Sequence, residues 1–181
     1  MQMSNNGSEQ IQIKYPAPSY VWWVYSRPAF ARTLEITSLI AVLLVVSSFA
    51  GAIAYLAVFA WPSAVLFGIF CAVPFAAVTA TRGWINAVRP CEVYDSVLLD
   101  LSKFKKGKSM PSRHVFSAFV IGTLALFVYL PLGISGLLLG VYIAVCRVLL
   151  FKHFVRDVLV GALIGVFSGA VGGIILNFNF L

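Results

Sequence analysis

The sequence predicts an all-α, polytopic membrane helix bundle with about five transmembrane helices and an N-terminal interfacial segment. Hydrophobic residues make up 61% of the 181 residues and charged residues only 10%, whereas soluble domains carry roughly 25% charged residues. Five apolar stretches come close to the roughly 20 residues that cross the core of a bilayer. Pro62 and Pro131 mark breaks between neighbouring stretches, because proline interrupts a continuing helix. These observations exclude a soluble globular protein.

The N-terminal part, residues 1–35, is predicted to be a polar tail followed by a segment that lies on the membrane. A cleaved signal peptide is not expected, because a basic start, an apolar core and a cleavage site do not follow one another here. From Tyr20 to Arg32, aromatic residues are interleaved with arginines, a mixture that favours the headgroup layer. Three prolines between residues 16 and 28 argue against one continuous helix.

Residues 36–181 are predicted to form a single transmembrane domain. Its spans fall at residues 36–61, 62–80, 115–130, 132–145 and 158–176. The third and fourth spans are short, and we expect residues 112–114 and 147–150 to extend their helices into a polar cavity. The last span carries glycines at four-residue intervals: Gly161, Gly165, Gly169 and Gly173. Small residues at this spacing let helices approach closely in lipid, which can also hold the polar end of the helix rigid.

The basic residues are distributed unevenly across the predicted membrane. With five spans, all 13 lie on one side: three in residues 1–35, seven in residues 81–114 and three in residues 146–157. The positive-inside rule predicts that this side is cytoplasmic. The lysines of residues 103–108 are either part of a lid that steers an anionic headgroup or a topology signal, and both interpretations stay open. Contact with anionic lipid explains the net charge of +7, so nucleic acid is not an expected partner.

Both histidines of the chain lie in polar clusters where apolar stretches begin or end. His114 closes the run Pro111-Ser112-Arg113-His114, and His153 follows Arg147 and precedes Asp157. Guanidinium groups bind tetrahedral oxyanions bidentately, and a histidine can attack phosphorus or protonate a departing oxygen. The clusters therefore indicate phosphoryl transfer, in which converging arginines can supply positive charge without a metal. The three cysteines are odd in number and far apart, so neither a disulfide framework nor a zinc site is predicted.

These clusters resemble the type 2 phosphatidic acid phosphatase superfamily, whose pattern is Lys-x6-Arg-Pro, then Pro-Ser-Gly-His, then Ser-Arg-x5-His-x3-Asp. The three blocks occur in this order between Arg82 and Asp157. Three positions depart from the pattern: Arg82 stands for Lys, Arg113 for Gly and Cys146 for Ser. Arg82 keeps the positive charge of the lysine but carries it on a planar guanidinium group. The second adds a cation that either contacts the substrate or faces lipid headgroups, and the third removes a hydroxyl donor.

The resemblance implies a role for each residue of the blocks. His153 is the expected nucleophile, Asp157 orients its ring, and His114 is the general acid and later the base that activates water. The expected phosphate-binding residues are Arg82, Arg89, Ser112, Arg113 and Arg147.

Spacing adds three geometric expectations to these roles. If their segment is helical, His153 and Asp157 lie on one helix face because they are four residues apart. Arg82 and Arg89 are seven residues apart, which would place both on the same side of a helix end. Ser112 is expected to offer its hydroxyl and its backbone amide to an anion at the start of a helix.

The resemblance implies an integral membrane lipid phosphatase with residues 36–181 as its phosphatase domain. It would hydrolyse a phosphate monoester or diphosphate on a lipid, such as phosphatidic acid, phosphatidylglycerophosphate or a polyprenyl diphosphate, through a phosphohistidine. Its expected partners are the lipid phosphate and the bilayer, with no cofactor, metal or nucleic acid, and its oligomeric state is not predicted. The expected location is the cell membrane, in particular a bacterial inner membrane, with the site on the cytoplasmic face. Two alternatives stay open: a lipid phosphotransferase using the same site, and a non-catalytic transporter that retains the anion pocket.

Overall fold

The computed structural model describes residues 15–95 and 105–178 of the chain. Within these ranges the elements are β1 (Tyr15–Pro16), α1 (Ser19–Tyr25), α2 (Pro28–Phe59), α3 (Trp61–Ile85), α4 (Pro90–Val93), β2 (Tyr94–Asp95), α5 (Arg113–Leu126), α6 (Leu130–Leu149) and α7 (Val155–Phe178). The two strands are two residues long and pair in parallel, with Tyr15 opposite Tyr94. The predicted polar tail, residues 1–10, and part of the lysine segment lie outside the described residues.

The predicted all-α membrane bundle is confirmed. Within residues 15–95 and 105–178, four helical segments are long and apolar enough to cross a membrane: Pro28–Phe59, Trp61–Val93, Leu130–Leu149 and Val155–Phe178. Helix α5 is apolar but has only 14 residues, so five apolar helices form the bundle. The expected N-terminal interfacial segment contains the short helix α1, which ends before Pro28 and exposes Trp22 and Trp23.

The helix boundaries differ from the predicted ones in a systematic way. Breaks were expected at Trp61-Pro62 and at Pro131, but the chain breaks at Ala60 and before Leu130. Both prolines lie in the first turn of the following helix, where the missing N–H needs no partner. For the same reason α2 begins at Pro28 rather than at residue 36.

Helix α5 lies at the centre of the bundle and packs most extensively against α6 and α7. Its side chains are buried almost continuously, including Val115, Phe116 and Leu124, which have no exposed surface. The glycines of α7 face α5: a methyl group on Gly161 would lie 2.7 Å from the Ser112 carbonyl oxygen. The predicted close approach of this glycine face is therefore present.

One end of the bundle carries all three polar clusters. There the Ser112 amide donates to the Asp157 carbonyl oxygen at 2.9 Å, and Arg89 donates to the carbonyl oxygen of Lys152 at 3.0 Å. Since these residues come from the segments before α5, before α4 and around the start of α7, the fold assembles a polar site from distant parts of the chain.

Candidate active site

His153 lies in the α6–α7 loop, residues 150–154, and not on helix α7 as its spacing from Asp157 suggested. Helix α7 begins only at Val155. The loop reverses through Phe151, whose φ of 58° is a left-handed conformation that bulky residues rarely adopt. The buried Phe151 ring packs against Val21 and Tyr94, which holds the turn in place.

Neighbouring elements fix the backbone of this loop from several sides. The Tyr25 hydroxyl donates to the Leu150 carbonyl oxygen at 3.1 Å. Lys152 pairs with Glu35 of α2, with 2.9 Å between Nζ and Oε1. The loop that carries His153 is therefore held by α1, by α2 and, through the Arg89 hydrogen bond to Lys152, by the start of α4.

His153 and Asp157 form a buried pair despite lying in different elements. Their side chains are 5% and 0% exposed, and His153 Nδ1 lies 3.6 Å from Asp157 Oδ2. The same Oδ2 atom accepts a hydrogen bond from the Phe154 backbone amide at 3.0 Å. Because Nδ1 faces the carboxylate, a proton on Nδ1 leaves the lone pair of Nε2 free for another partner.

Burial lowers the pKa of His153 below its ordinary value of 6.5. The hydrogen bond with Asp157 acts in the opposite direction, whereas the positive charges of Arg89 and Arg82 lower the pKa further. The desolvation of the charged form is the largest of these effects. The ring is therefore neutral near pH 7, which is the state in which a histidine can act as a nucleophile.

Ser109 is a site residue that sequence reasoning missed. It is fully buried, its hydroxyl donates to Asp157 Oδ2, and its Oγ lies 3.4 Å from His153 Nδ1. It thus contacts both members of the pair. Its proximity to the Pro111-Ser112-Arg113-His114 run was the available signal, but nothing in the sequence distinguishes it from other small polar residues of the same connection.

The two arginines of the first block do not share a helix, contrary to expectation. Helix α3 ends at Ile85, and Asn86 has a left-handed φ of 40°, so Arg89 lies beyond a turn. Arg82 is buried at the end of α3 and donates to the Pro111 carbonyl oxygen. Arg89 precedes α4 and donates to the carbonyl oxygens of Gly107 and Lys152 at 2.9 and 3.0 Å.

Ser112 offers a hydroxyl to the site but not the backbone amide that was expected, because its amide donates to the Asp157 carbonyl oxygen. The Ser112 hydroxyl is buried and has no hydrogen-bond partner among the described residues. The same holds for Arg147 Nε at the end of α6. Buried polar atoms without partners are costly, so an anion that accepts a hydrogen bond from either group would be stabilised here.

Arg113 and His114 occupy the first turn of α5 and face a cavity of about 280 Å³. The rest of this cavity is lined almost entirely by apolar side chains of α2, α3, α5 and α6. His114 is exposed and Arg113 is half-buried. The polar site and an apolar cavity therefore meet at the start of α5.

Cys146, which stands for the serine of the third block, lies in a separate cluster of buried residues. It is fully buried and packs with Val24, Leu34 and Leu150, residues of α1, α2 and the α6–α7 loop. Its thiol is also within hydrogen-bond reach of Tyr142.

Electrostatic interactions connect the predicted site residues into one group. Arg82 interacts with Arg89, Arg113 and Asp157, and His114 interacts with Arg147 and His153. In the described ranges 15–95 and 105–178, no three His, Cys, Asp or Glu side chains lie close enough together to hold a metal ion. A buried neutral imidazole beside several guanidinium groups is suited to bind a tetrahedral oxyanion and to attack it.

The chain is similar to a known protein family and to a solved structure. A family model described as the PAP2 superfamily matches residues 78–179, a range that contains all eight predicted site residues. The fold is similar to the crystal structure of LpxE from Aquifex aeolicus, with a TM-score of 0.59 and 21% sequence identity over 76% of this chain and 85% of that one. None of the curated proteins matches the chain.

Proposed function

The chain belongs to the PAP2 superfamily, whose model matches more than half of its length. On this premise we propose that it is an integral membrane lipid phosphatase that hydrolyses a phosphate monoester or diphosphate on a lipid through a phosphohistidine. The observation that carries the proposal is the buried His153, whose Nδ1 faces Asp157, together with the unpartnered donors of Ser112 and Arg147 at the same end of the bundle.

In the first step Nε2 of His153 attacks the phosphorus and displaces the lipid oxygen. Asp157 keeps the proton on Nδ1 and stabilises the ring as positive charge develops on it. Desolvation and the positive charge of Arg147 lower the pKa of His114 to about 4, so His114 takes up its proton together with the anionic substrate. It then donates this proton to the leaving oxygen, a role typically worth about 10²- to 10⁴-fold in rate. In the second step His114 accepts a proton from water, which attacks the phosphohistidine and releases phosphate.

The arginines and Ser112 stabilise the phosphoryl group during both steps. Arg147 and Ser112 have buried donors without partners, and Arg82 and Arg89 use part of their guanidinium groups on backbone carbonyl oxygens, which fixes their positions. Fixed donors act strongly in a site from which water is excluded. We propose that these groups supply the positive charge that a metal would otherwise supply.

Phosphate release from a panel of lipid phosphates, measured with EDTA present, tests the proposal. We compare the wild type with His153→Ala and His114→Ala, purified in detergent and checked for folding by size exclusion. We expect release by the wild type to survive EDTA and to fall below detection in His153→Ala. Labelled wild type should hold phosphate that is stable in alkali and labile in acid. Unchanged release by His153→Ala, or loss of wild-type release in EDTA, would contradict the mechanism.

We further propose that the site faces the cytoplasm across a bacterial inner membrane, because the basic residues cluster at the end of the bundle that holds the site. Single cysteines in place of exposed Lys108 and exposed Phe59 test this orientation in a variant without native cysteines. An impermeant thiol reagent applied to intact cells should label only the position of Phe59. Labelling at position 108 instead would show that the site faces the opposite side of the membrane.

A further inference from the structure

Arg113 is placed where a cation is electrostatically disfavoured. It is the first residue of α5, and the N-terminus of a helix repels positive charge. It also interacts with the like charges of Arg82 and Arg89. In the described part of the chain, its guanidinium group makes no hydrogen bond or ion pair that would offset this repulsion. A bound anion would relieve both unfavourable contributions.

The cavity beside Arg113 has the volume, about 280 Å³, and the apolar lining that suit a hydrocarbon chain. Its inner wall is formed by buried apolar residues of three helices, among them Val45, Ile121 and Ile143. Its rim includes Val46 and Phe75, which lie on exposed faces of α2 and α3. From His114 to Ile121 the cavity follows α5 for about 10 Å, at 1.5 Å per residue.

We propose that the preferred substrate is a lipid diphosphate whose chain enters this cavity and whose proximal phosphate is bound by Arg113. This rests on the proposed function, in which the terminal phosphate is attacked by His153. Arg113 interacts with the phosphate-site arginines on one side and lines the chain cavity on the other. In a lipid diphosphate the proximal phosphate connects the terminal phosphate to the chain, so it would lie beside Arg113. A lipid monophosphate would place only its ester oxygen there.

The reaction balances without a further reactant. Nε2 of His153 forms a bond to the terminal phosphorus, and the bond from that phosphorus to the bridging oxygen breaks. The electron pair stays on the bridging oxygen, which accepts the proton of His114, and a lipid monophosphate leaves from its place beside Arg113. Water then cleaves the phosphorus–nitrogen bond, which releases inorganic phosphate and restores the imidazole.

The test compares farnesyl diphosphate with farnesyl monophosphate, which share one chain and differ by one phosphate. We assay the purified full-length wild type and two variants, Arg113→Gln and Arg113→Gly. The second variant restores the residue of the family pattern. Arg32→Gln, an exposed arginine on α2, is the matched control. We expect the wild type to favour the diphosphate in kcat/KM by about tenfold or more. Loss of one charge-assisted contact should lower the diphosphate value about 10- to 100-fold.

The outcomes separate this inference from the function on which it rests. Support requires the Arg113 variants to lose the diphosphate preference while Arg32→Gln keeps it. Equal losses on both substrates would make Arg113 a headgroup or structural contact and overturn the inference, and so would a wild-type preference for the monophosphate. The ratio of the wild-type kcat/KM values for the two substrates tests the inference even if an Arg113 variant does not fold. If the wild type hydrolyses neither these substrates nor the wider lipid panel, the proposed function itself fails.

Discussion

Helices α5 and α7 are packed far more tightly than α2 and α3. A methyl group on Gly165 of α7 would lie 2.7 Å from the Phe116 carbonyl oxygen of α5, whereas one on Gly51 of α2 or Gly83 of α3 would meet nothing within 4 Å. The tight pair also carries the Ser112 to Asp157 backbone hydrogen bond. The difference teaches that the chain packs most tightly beside the polar site and more loosely along α2 and α3, which line part of the cavity.

The carboxylates of the two regions should differ most in their effect on activity. Asp157→Asn removes the charge that holds the Nδ1 proton of His153, and the loss of an equivalent triad carboxylate lowers kcat by about 10⁴-fold. We expect a decrease of about 10³- to 10⁴-fold. The matched change Glu35→Gln on α2 breaks only a partly exposed ion pair with Lys152. It should lower the free energy of unfolding by at most about 1 kcal/mol and have little effect on activity. Steady-state phosphate release measures both, and an Asp157→Asn variant within tenfold of the wild type would contradict the assigned role.

A pair of glycine substitutions tests the packing contrast directly. Gly165→Ala places a methyl group 2.7 Å from a backbone oxygen and 2.8 Å from Phe119 Cβ, and overpacking of this kind typically costs about 1–3 kcal/mol. Gly51→Ala enters open space and should raise helix stability by at most about 1 kcal/mol. Unfolding of the detergent-solubilised protein, followed by circular dichroism, gives both values. Equal stability of the two variants would mean that α7 can move away from α5.

Ser109 extends the rigid region into the connection before α5. In Ser109→Ala the carboxylate of Asp157 loses one buried hydrogen bond, a change of about 1 kcal/mol. We expect kcat to fall by about fivefold to tenfold with KM unchanged and to recover in Ser109→Thr, which keeps the hydroxyl. The control Ser135→Ala lies on an exposed face of α6 and should match the wild type. A change in KM alone would place Ser109 in substrate binding instead.

The smallest effect concerns the protonation of His153. The chain has two histidines, so in His114→Ala the imidazole NMR signal belongs to His153 alone. Burial and the charges of Arg89 and Arg82 should place the midpoint of its titration below 6.5, although Asp157 opposes them. The unfolded chain then binds the extra proton first, so this group lowers stability as the pH falls below about 6.5. A midpoint at or above 6.5 would show that the Asp157 contact outweighs burial.

The bundle could be predicted because membrane spans depend on the length and polarity of local stretches, which are read directly from the sequence. The joint presence of His114, His153 and Asp157 with correctly spaced arginines also identified the polar end. The other features of the site depend on tertiary contacts, which the sequence does not reveal. Asn86 ends α3 before Arg89 in a left-handed conformation, and no periodicity reports such a turn. The Ser112 amide is taken by the carbonyl oxygen of a residue that lies far along the chain.

The exposed rim of the cavity on α2 and α3 has a consequence for how the enzyme meets its substrate. With the substrate chain in this cavity, as we propose, a lipid would enter sideways from its own leaflet, without first leaving for water. The relevant quantity is then the number of substrate molecules per unit area of membrane. Diluting the substrate with inert lipid slows turnover even when its amount per millilitre stays the same, and composition of the surrounding leaflet becomes part of the rate law.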